Sequence, residues 1–376
     1  MIDFNRPHLT GKETHYIYQA VADGKLSGNG VFTKKCQQFF EDRYGFKKCL
    51  LTTSCTDALE MAAILCDIQP GDEVIVPSYT FVSSALAFVR AGAKIIFADS
   101  MAENPNIDAE NIEALITPRT KVIVPVHYAG VACDMDRIME IADRHNILVV
   151  EDAAQAIDSY YKGRPLGSIG HLSAFSFHET KNIIAGEGGM LCINDERFIR
   201  RAEIIWEKGT NRAEFFRGEV NKYGWVDTGS SFLPSEVVAA FLWAQLEHLD
   251  DIQTRRKHLW ELYHAGLSPL TSHLSPKLAL PVIPEYATNN AHMFYLVCNS
   301  LEQRTALIKH LKENDIQSVF HYLSLHSSPY YTDKHDGRVL PEGDRYADCL
   351  VRLPMFYDLK DETVIEICNT INAFFA

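Results

Sequence analysis

The sequence predicts an α/β protein built on a mixed, mostly parallel sheet, and three features support that fold class. Short apolar runs alternate with longer helical patterns from about residue 50 to residue 195. The runs are continuous in valine and isoleucine, which is typical of strands covered on both faces. Between two of them, apolar residues recur at helical spacing after the helix-capping Asp134, at Met135, Ile138, Met139 and Ala142. Strands joined by helical crossovers favour a layered α/β architecture.

The elements follow in order along the chain. Strand-like runs occupy residues 73–76, 94–97, 122–126, 147–150 and 172–175. Beyond residue 195 strands become rare and helical patterns dominate. The two helical segments predicted there lie at residues 196–206 and 234–249. Pro234 suits the first turn of the second helix, because proline needs no N–H partner at that position.

The length of 376 residues suggests two or three domains. A strand near residues 294–297 and a helix near residues 304–314 are compatible with a second, smaller unit. We therefore expect a large domain over residues 1–250 and a smaller C-terminal α+β domain over residues 251–376.

Composition excludes several classes of protein and selects none. Lys plus Arg number 36 and Asp plus Glu number 49, so the net charge is −13 and the mean surface repels nucleic-acid phosphates and anionic membranes. The sequence has no apolar stretch long enough to cross a membrane, and its first residues lack the basic and apolar regions of a signal peptide. Nine cysteines without a Cys-x-x-Cys motif favour free thiols in a reducing cytoplasm over disulfides or structural zinc.

An acid and a lysine stand at the ends of two predicted strands. Asp152 follows the run at 147–150, and the carboxyl ends of parallel strands are where such sheets bind ligands. A carboxylate there could hold the cationic ring nitrogen of pyridoxal phosphate, or it could only cap the next helix. Lys181 lies in the loop after the run at 172–175, where a sheltered lysine can form a Schiff base and an exposed one is ordinary surface. Their order and spacing favour the chemical interpretation.

Other segments could bind a phosphate group and a flat ring. Ser54, Cys55 and Thr56 lead into a helix, whose free N–H groups would attract phosphate, although an ordinary helix cap has the same sequence. Ser176 could donate a hydrogen bond to the same phosphate. Phe81 follows another strand and could stack on a ring or lie in the core.

Taken in chain order, these segments resemble the DegT/StrS family of pyridoxal-phosphate sugar aminotransferases. The resemblance covers nearly the whole chain and includes residues 24–30, 54–56, 151–155, 175–181, 187–189, 239–246, 321–326 and 353–354. It implies the fold type I architecture of these enzymes, with a large α/β/α domain followed by a smaller α+β domain.

The resemblance also implies roles for individual residues. Lys181 would be the catalytic residue, forming the Schiff base with pyridoxal 5′-phosphate and moving the proton at the substrate carbon. Asp152 would keep the pyridinium nitrogen protonated. The other cofactor contacts would be Phe81 and Gln155 at the ring, and Cys55, Thr56 and Ser176 at the phosphate.

The family further implies a homodimer with the active site at the subunit interface. Relatives complete the phosphate site with a residue of the neighbouring subunit, in a Gly-x-Asn motif. Here residues 229–231 read Gly-Ser-Ser, so that Ser231 replaces the asparagine. A serine hydroxyl could serve the same phosphate.

The implied reaction has two halves, in which L-glutamate donates its amine and the pyridoxamine form passes it to a keto-sugar nucleotide. Residues 177–182, 207–212 and 215–218 resemble members that aminate C4 of a dTDP-4-keto-6-deoxyhexose. The product would be dTDP-4-amino-4,6-dideoxygalactose, for a bacterial surface polysaccharide such as enterobacterial common antigen or O-antigen. Amination at C3 of a dTDP-3-keto sugar is the alternative. Lysine at position 181, where deoxygenating relatives have histidine, favours transfer.

Three histidines are candidates for the sugar-nucleotide pocket: His178, His321 and His326. Each could equally be a loop or core histidine with its own protein partners. No third ligand accompanies His321 and His326, so we expect no metal.

Two other classes of protein fit the sequence less well. A nicotinamide oxidoreductase would need a Gly-x-Gly-x-x-Gly motif between its first strand and helix, and residues 28–33 lack the third glycine. A non-catalytic scaffold with this fold would be expected to have lost Lys181 or Asp152. The sequence therefore favours an enzyme.

Overall fold

The larger of two principal sheets holds the first half of the chain together. In the computed structural model, which describes residues 1–271 and 278–376, its region contains β1 (Lys48–Thr52), β2 (Glu73–Pro77), β3 (Lys94–Ala98), β4 (Thr120–Ile123), β5 (Leu148–Asp152), the hairpin β6 (Tyr160–Tyr161) and β7 (Arg164–Pro165), β8 (Leu172–Ser176) and β9 (Gly189–Ile193). The seven-stranded sheet has the order β1-β9-β8-β5-β4-β2-β3. The pairs from β8 to β3 are parallel, whereas β9 runs antiparallel to both β8 and β1.

Helices cover both faces of this sheet. The α-helices are α1 (Glu13–Ala22), α2 (Val31–Tyr44), α3 (Cys55–Leu65), α4 (Ser83–Arg90), α5 (Met135–His145), α6 (Ile199–Trp206), α7 (Arg212–Phe216), α8 (Glu236–Leu246), α9 (Leu249–Leu267), α10 (Leu301–Glu313), α11 (Pro341–Cys349) and α12 (Asp361–Phe375). Val149 and Val150 are both fully buried, but they belong to different hydrophobic clusters on opposite faces. This two-sided burial explains the unbroken valine and isoleucine runs. In the described ranges no helix is long and apolar enough to cross a membrane.

The smaller sheet is antiparallel and has its own core. Its strands are β10 (Leu278–Ala279), β11 (Tyr295–Cys298), β12 (Val319–Phe320) and β13 (Leu350–Arg352), in the order β10-β11-β13-β12. Helices α9, α10 and α12 contribute buried side chains to this core, among them Tyr263, Leu307 and Ile371. The second core agrees with a smaller α+β unit near the C-terminus.

The N-terminal segment links the two sheets. Ile2 bridges to Ile316 beside the small sheet, and the backbone N–H of Met355 donates to the Phe4 carbonyl at 3.2 Å. The next side chain, Asn5, donates to the carbonyl of Glu179 at 3.3 Å, in the loop that follows β8. Residues 2–6, called here the N-terminal strap, therefore touch both halves of the molecule.

The predicted fold class is confirmed by this architecture, and each predicted strand corresponds to an observed strand. Helix α5 begins where predicted, with the Asp134 carboxylate accepting from the Arg137 N–H. The outer strands β1 and β9 were not predicted. The division at residue 250 stays a prediction, and it falls near the start of the continuous helix α9.

Candidate active site

A cavity of 630 Å³ opens at the carboxyl ends of the parallel strands. Residues that follow β2, β4, β5 and β8 line one side, and residues of the small sheet line the other. Among the lining residues are the predicted Cys55, Thr56, Phe81, Asp152, Gln155, Ser176, His178, Lys181 and His321. The fold therefore collects side chains that lie more than 250 residues apart in sequence.

Asp152 ends β5 and is 5% exposed. One carboxylate oxygen accepts from the Ser84 hydroxyl at 2.6 Å, and the other accepts from the Ala154 N–H at 3.1 Å. These two neutral donors fix the orientation of the carboxylate and leave its charge uncompensated. No described residue forms a salt bridge with it, so it remains available to a cationic group in the cavity.

Lys181 reaches the cavity from the loop after β8. Its ammonium donates no hydrogen bond to any residue in the described part of the chain. Burial lowers the pKa of Lys181, and the positive charge of Arg352 acts in the same direction, whereas Cys55 and Asp152 oppose the shift. A lysine amine that has no partner and a lowered pKa is suited to attack a carbonyl group.

The start of α3 also lines the cavity. Ser54 caps this helix by accepting from the Asp57 N–H at 3.0 Å. The N–H groups of Cys55 and Thr56 donate to no described residue, as expected in a first helical turn. The hydroxyls of Thr56 and Ser83 lie 2.7 Å apart, and Ser176 also lines the cavity. Free N–H groups and hydroxyls at a helix start together suit a phosphate group.

Close packing of Gly189 positions that helix start. A Cβ atom at position 189 would lie 2.4 Å from the Cys55 backbone nitrogen, which is closer than real contacts allow. Strand β9, which was not predicted, therefore packs against the start of α3, the part of the cavity that suits a phosphate group.

An exposed aromatic ring and an oriented side-chain amide also line the cavity. Phe81 is 55% exposed, with its ring centroid 6.0 Å from that of Tyr322. The Gln155 side-chain oxygen accepts from the Ala129 N–H at 2.6 Å, so its NH₂ group faces the Tyr322 hydroxyl at 2.9 Å. One N–H of this amide remains free for a ligand.

The predicted histidines occupy different surroundings. His321 lies inside the cavity, where its Nδ1 is 2.6 Å from the Tyr128 hydroxyl, and burial holds its pKa well below the ordinary value. His178 stands at the rim, with Nε2 3.7 Å from Glu187 Oε1.

The structure does not bring His326 or Ser231 into the cavity of this chain. His326 Nδ1 is held 2.7 Å from the Ser78 hydroxyl, and its Nε2 lies 3.6 Å from Asp344. Ser231 is exposed and bridges to Glu207.

Sequence reasoning missed four further lining residues on or beside the small sheet: His292, Phe320, Tyr322 and Arg352. His292 Nδ1 lies 2.9 Å from Asn182 Oδ1, next to Lys181 in sequence. Since the Asn182 NH₂ group donates to Gln253 and to the Asn290 carbonyl, its oxygen accepts from His292, which is neutral because burial lowers its pKa. Tyr322 has a positive φ of 23°, a backbone strain often found at functional sites.

Comparison with known proteins gives one consistent result. Residues 7–372 match the DegT/DnrJ/EryC1/StrS aminotransferase family. The chain is 32% identical to GDP-perosamine synthase of Escherichia coli O157:H7, over 99% of this chain and 98% of that protein. It is 31% identical to the spore coat polysaccharide biosynthesis protein SpsC of Bacillus subtilis, over 98% of this chain and 96% of that protein.

Solved structures share the fold over the full length. The putative sugar aminotransferase Spr1654 of Streptococcus pneumoniae superposes in its PMP form with a TM-score of 0.91, at 26% identity, covering 100% of this chain and 99% of the other. Its PLP form gives a TM-score of 0.90. The similarity therefore extends over both sheets and the cavity between them.

Proposed function

The chain belongs to the DegT/DnrJ/EryC1/StrS aminotransferase family, and from this premise we propose that it moves an amino group from L-glutamate to a nucleotide-activated keto sugar. The observation that carries the proposal is the meeting of Lys181, Asp152 and the free N–H groups of α3 in one cavity. The family match and the similarity to solved structures confirm the family and the fold class predicted from the sequence.

The cavity residues fit pyridoxal 5′-phosphate, with pyridoxamine phosphate as its second form. Among residues 1–271 and 278–376, the amine of Lys181 has no other partner and the Asp152 carboxylate has no counter-ion, and Gly189 allows the close approach that presents the α3 N–H groups. The predicted cofactor agrees with the PLP and PMP forms of Spr1654. When bound, the cofactor supplies an electron sink for the carbon that gains or loses the amine.

Each residue of the site has a separate task in this proposal. Asp152 would hold the proton on the cofactor ring nitrogen, and the free N–H of Gln155 would donate to the ring oxygen. Cys55 and Thr56 would bind the phosphate through backbone N–H groups, and the exposed Phe81 ring would stack on the cofactor. Lys181 Nζ removes the proton from the reacting carbon and returns it, which its lowered pKa favours.

We propose a dTDP-4-keto-6-deoxyhexose as acceptor and C4 as the aminated carbon, giving dTDP-4-amino-4,6-dideoxygalactose for a surface polysaccharide. The loop sequences at 177–182, 207–212 and 215–218 support this acceptor by resemblance. GDP-perosamine synthase and SpsC, by their names, support nucleotide sugars and polysaccharides more generally. A dTDP-3-keto sugar is the competing acceptor.

A cytoplasmic homodimer is part of the proposal. All nine cysteines are free thiols, which suits a reducing compartment. Near Ser231, the chain exposes Phe216 by 70%, Trp225 by 85% and Val226 by 55%. An exposed apolar patch of this kind is typical of a subunit interface. The partner's copy of this segment would complete the phosphate site with its serine.

Borohydride reduction tests the cofactor and the lysine together. Protein loaded with pyridoxal phosphate should form an adduct that borohydride fixes covalently, and peptide mapping should place it on Lys181. The Lys181→Ala variant should bind the cofactor without a reducible adduct. The exposed Lys121→Ala variant is the control and should behave as wild type. An adduct that persists in Lys181→Ala would refute the assignment.

A substrate panel tests the acceptor. The enzyme is incubated with L-glutamate and with dTDP-, UDP- and GDP-linked 3-keto and 4-keto sugars, and products are identified by mass spectrometry and NMR. The expected result is an amine at C4 of the dTDP-4-keto sugar. Amination of 3-keto sugars alone would exclude the C4 proposal and leave the family assignment intact.

A further inference from the structure

Arg352 is a cation of the cavity for which the described part of the chain provides no hydrogen-bond or salt-bridge partner. It ends β13 and lines the cavity, where the only other described cationic side chain is that of Lys181. Its Nε is fully buried and has no hydrogen-bond partner, and no described carboxylate forms a salt bridge with its guanidinium. The guanidinium instead lies over the Phe4 ring, 4.8 Å from the ring centroid. A guanidinium that is partly desolvated and unpaired indicates an anionic ligand.

Neither of the two described carboxylates that line the cavity forms a salt bridge with Arg352. Asp152 accepts from Ser84 and Ala154, and Glu187 is largely exposed beside His178. The phosphate-type site is also separate, because it lies at the start of α3 on the large sheet. We therefore expect the anion that binds Arg352 to be part of a substrate.

The position of Arg352 distinguishes between the two anionic substrates. Phe4 under its guanidinium is followed by Asn5, which donates to the carbonyl of Glu179, two residues before Lys181. Arg352 also contributes to the lowered pKa values of Lys181, His292 and His321. It thus shares the cavity with the reacting amine and lies within electrostatic range of it. In an amino acid, the α-carboxylate is bonded directly to the reacting carbon, whereas the diphosphate of a nucleotide sugar is attached across the sugar ring from C4.

We propose that Arg352 binds the α-carboxylate of the amino donor and so selects an amino acid for the first half-reaction. This inference rests on the proposed function and assigns a residue to its donor. In the second half-reaction no carboxylate is present, and the guanidinium is left to neutral groups of the sugar. A neutral residue at this position should impair the first half-reaction and spare the second.

The test separates the two half-reactions in the Arg352→Gln variant. With L-glutamate, absorbance of the loaded enzyme follows conversion to the pyridoxamine form. We expect the glutamate concentration for half-maximal rate to rise about 10- to 100-fold, as for a lost hydrogen bond to a charged group. Arg352→Lys should restore part of the affinity. Binding of glutarate, a dicarboxylate without an amine, is measured by calorimetry and should weaken similarly.

Arg304→Gln is the matched control. Arg304 is also half-buried beside the small sheet with an unpartnered buried Nε, but it does not line the cavity. This variant should bind glutarate and glutamate as wild type does. Circular dichroism and the borohydride adduct establish that each variant is folded and loaded.

Four outcomes would each overturn a specific claim. If Arg352→Gln binds dTDP more weakly and glutarate normally, Arg352 holds the diphosphate and the inference is wrong. If neither ligand is affected, the inference is also wrong. If wild-type enzyme forms the reducible adduct but does not react with glutamate, the proposed donor is wrong, and absence of the adduct would refute the proposed cofactor itself.

Discussion

Among single residues, Lys181 owes its reactivity to a balance between burial and the charges around its amine. Burial and Arg352 lower its pKa, while Cys55 and Asp152 raise it, and the net shift is downward. The neutral amine is the form that attacks a carbonyl, so lowering the pKa extends the reactive form toward neutral pH. Burial thus activates Lys181 even though the Asp152 carboxylate, which the cofactor needs, lies in the same cavity.

A pH profile tests this balance. In cofactor-free protein, the rate of pyridoxal phosphate capture should rise with pH and become constant above the pKa of Lys181. The midpoint should lie below that of N-α-acetyl-lysine measured in the same buffers. Stopped-flow absorbance gives both profiles. A midpoint at or above that of the free lysine would contradict the lowered pKa.

The sequence predicted most of the cavity residues that the large sheet positions, but of those on or beside the small sheet it predicted only His321. Asp152 ends one parallel strand and Lys181 lies in the loop after another, so the rule that ligands bind at strand ends located them. Arg352 sits on a strand of the antiparallel sheet. Its side chain reaches the cavity only because the two sheets pack together, and no local pattern records that contact.

At the scale of elements, the start of α3 depends on the strand beneath it. Gly189→Ala would place a methyl group 2.4 Å from the Cys55 nitrogen and displace the helix start. We expect pyridoxal phosphate affinity to fall by about tenfold or more, since one well-placed hydrogen bond to a charged group is worth that much. Fluorescence titration of cofactor-free protein measures the affinity.

Gly188→Ala is the control for this change. Its added methyl group would meet Ala185 Cβ at 3.4 Å and Phe177 Cβ at 3.5 Å, which are ordinary contacts. The neighbouring substitution should therefore leave cofactor affinity within about twofold of wild type. Equal losses in the two variants would show that the close approach of Gly189 is not what positions the helix.

A second element is capped from a distant helix. Glu236, in the first turn of α8, is 2% exposed and accepts from the N–H groups of Gly30, Phe32 and Thr33 at the start of α2. Glu236→Ala leaves these donors buried and unsatisfied, which should cost about 2–4 kcal/mol of unfolding free energy. Urea denaturation measures it. The exposed Glu261→Ala variant should change stability by less than about 0.5 kcal/mol, and a similar loss in both would refute the cap.

The elements that the sequence did not reveal share one cause. Strands β1 and β9 form the antiparallel edge of the large sheet, and β9 follows the glycine-rich turn after Lys181 directly. A pattern in which helices separate the strands does not predict β9, which pairs antiparallel with β8 without an intervening helix. Strands β1 and β9 pair residues more than 130 positions apart, such as Cys49 and Cys192, and a local sequence pattern does not predict such long-range pairing.

At the scale of the whole molecule, net charge and local charge act separately. The value of −13 disfavours polyanionic partners, yet the proposed ligands carry phosphate and carboxylate groups. Backbone N–H groups of α3 and the side chains of Lys181 and Arg352 provide positive potential inside an acidic protein. Ligand charge therefore follows from the cavity and not from composition.

The N-terminal strap joins the two halves around the cavity, and its removal should loosen both. The Gln317 N–H donates to the Ile2 carbonyl at 3.0 Å, and the Met355 N–H donates to the Phe4 carbonyl at 3.2 Å. Deleting residues 2–6 removes both acceptors, so hydrogen exchange at these two amides should accelerate. Exchange in the central strand β8 should not change, because its ladder is independent of the strap.

Hydrogen-exchange mass spectrometry of the loaded enzyme can resolve this coupling. Peptides covering residues 315–320 and 353–357 should exchange faster in the deletion variant, and so should the loop at 177–182, which loses the Asn5 contact to Glu179. The Leu9→Ala variant changes an exposed residue just outside the strap and should match wild type. Faster exchange in the small-sheet peptides alone would show that the strap belongs to that sheet and does not hold the Lys181 loop.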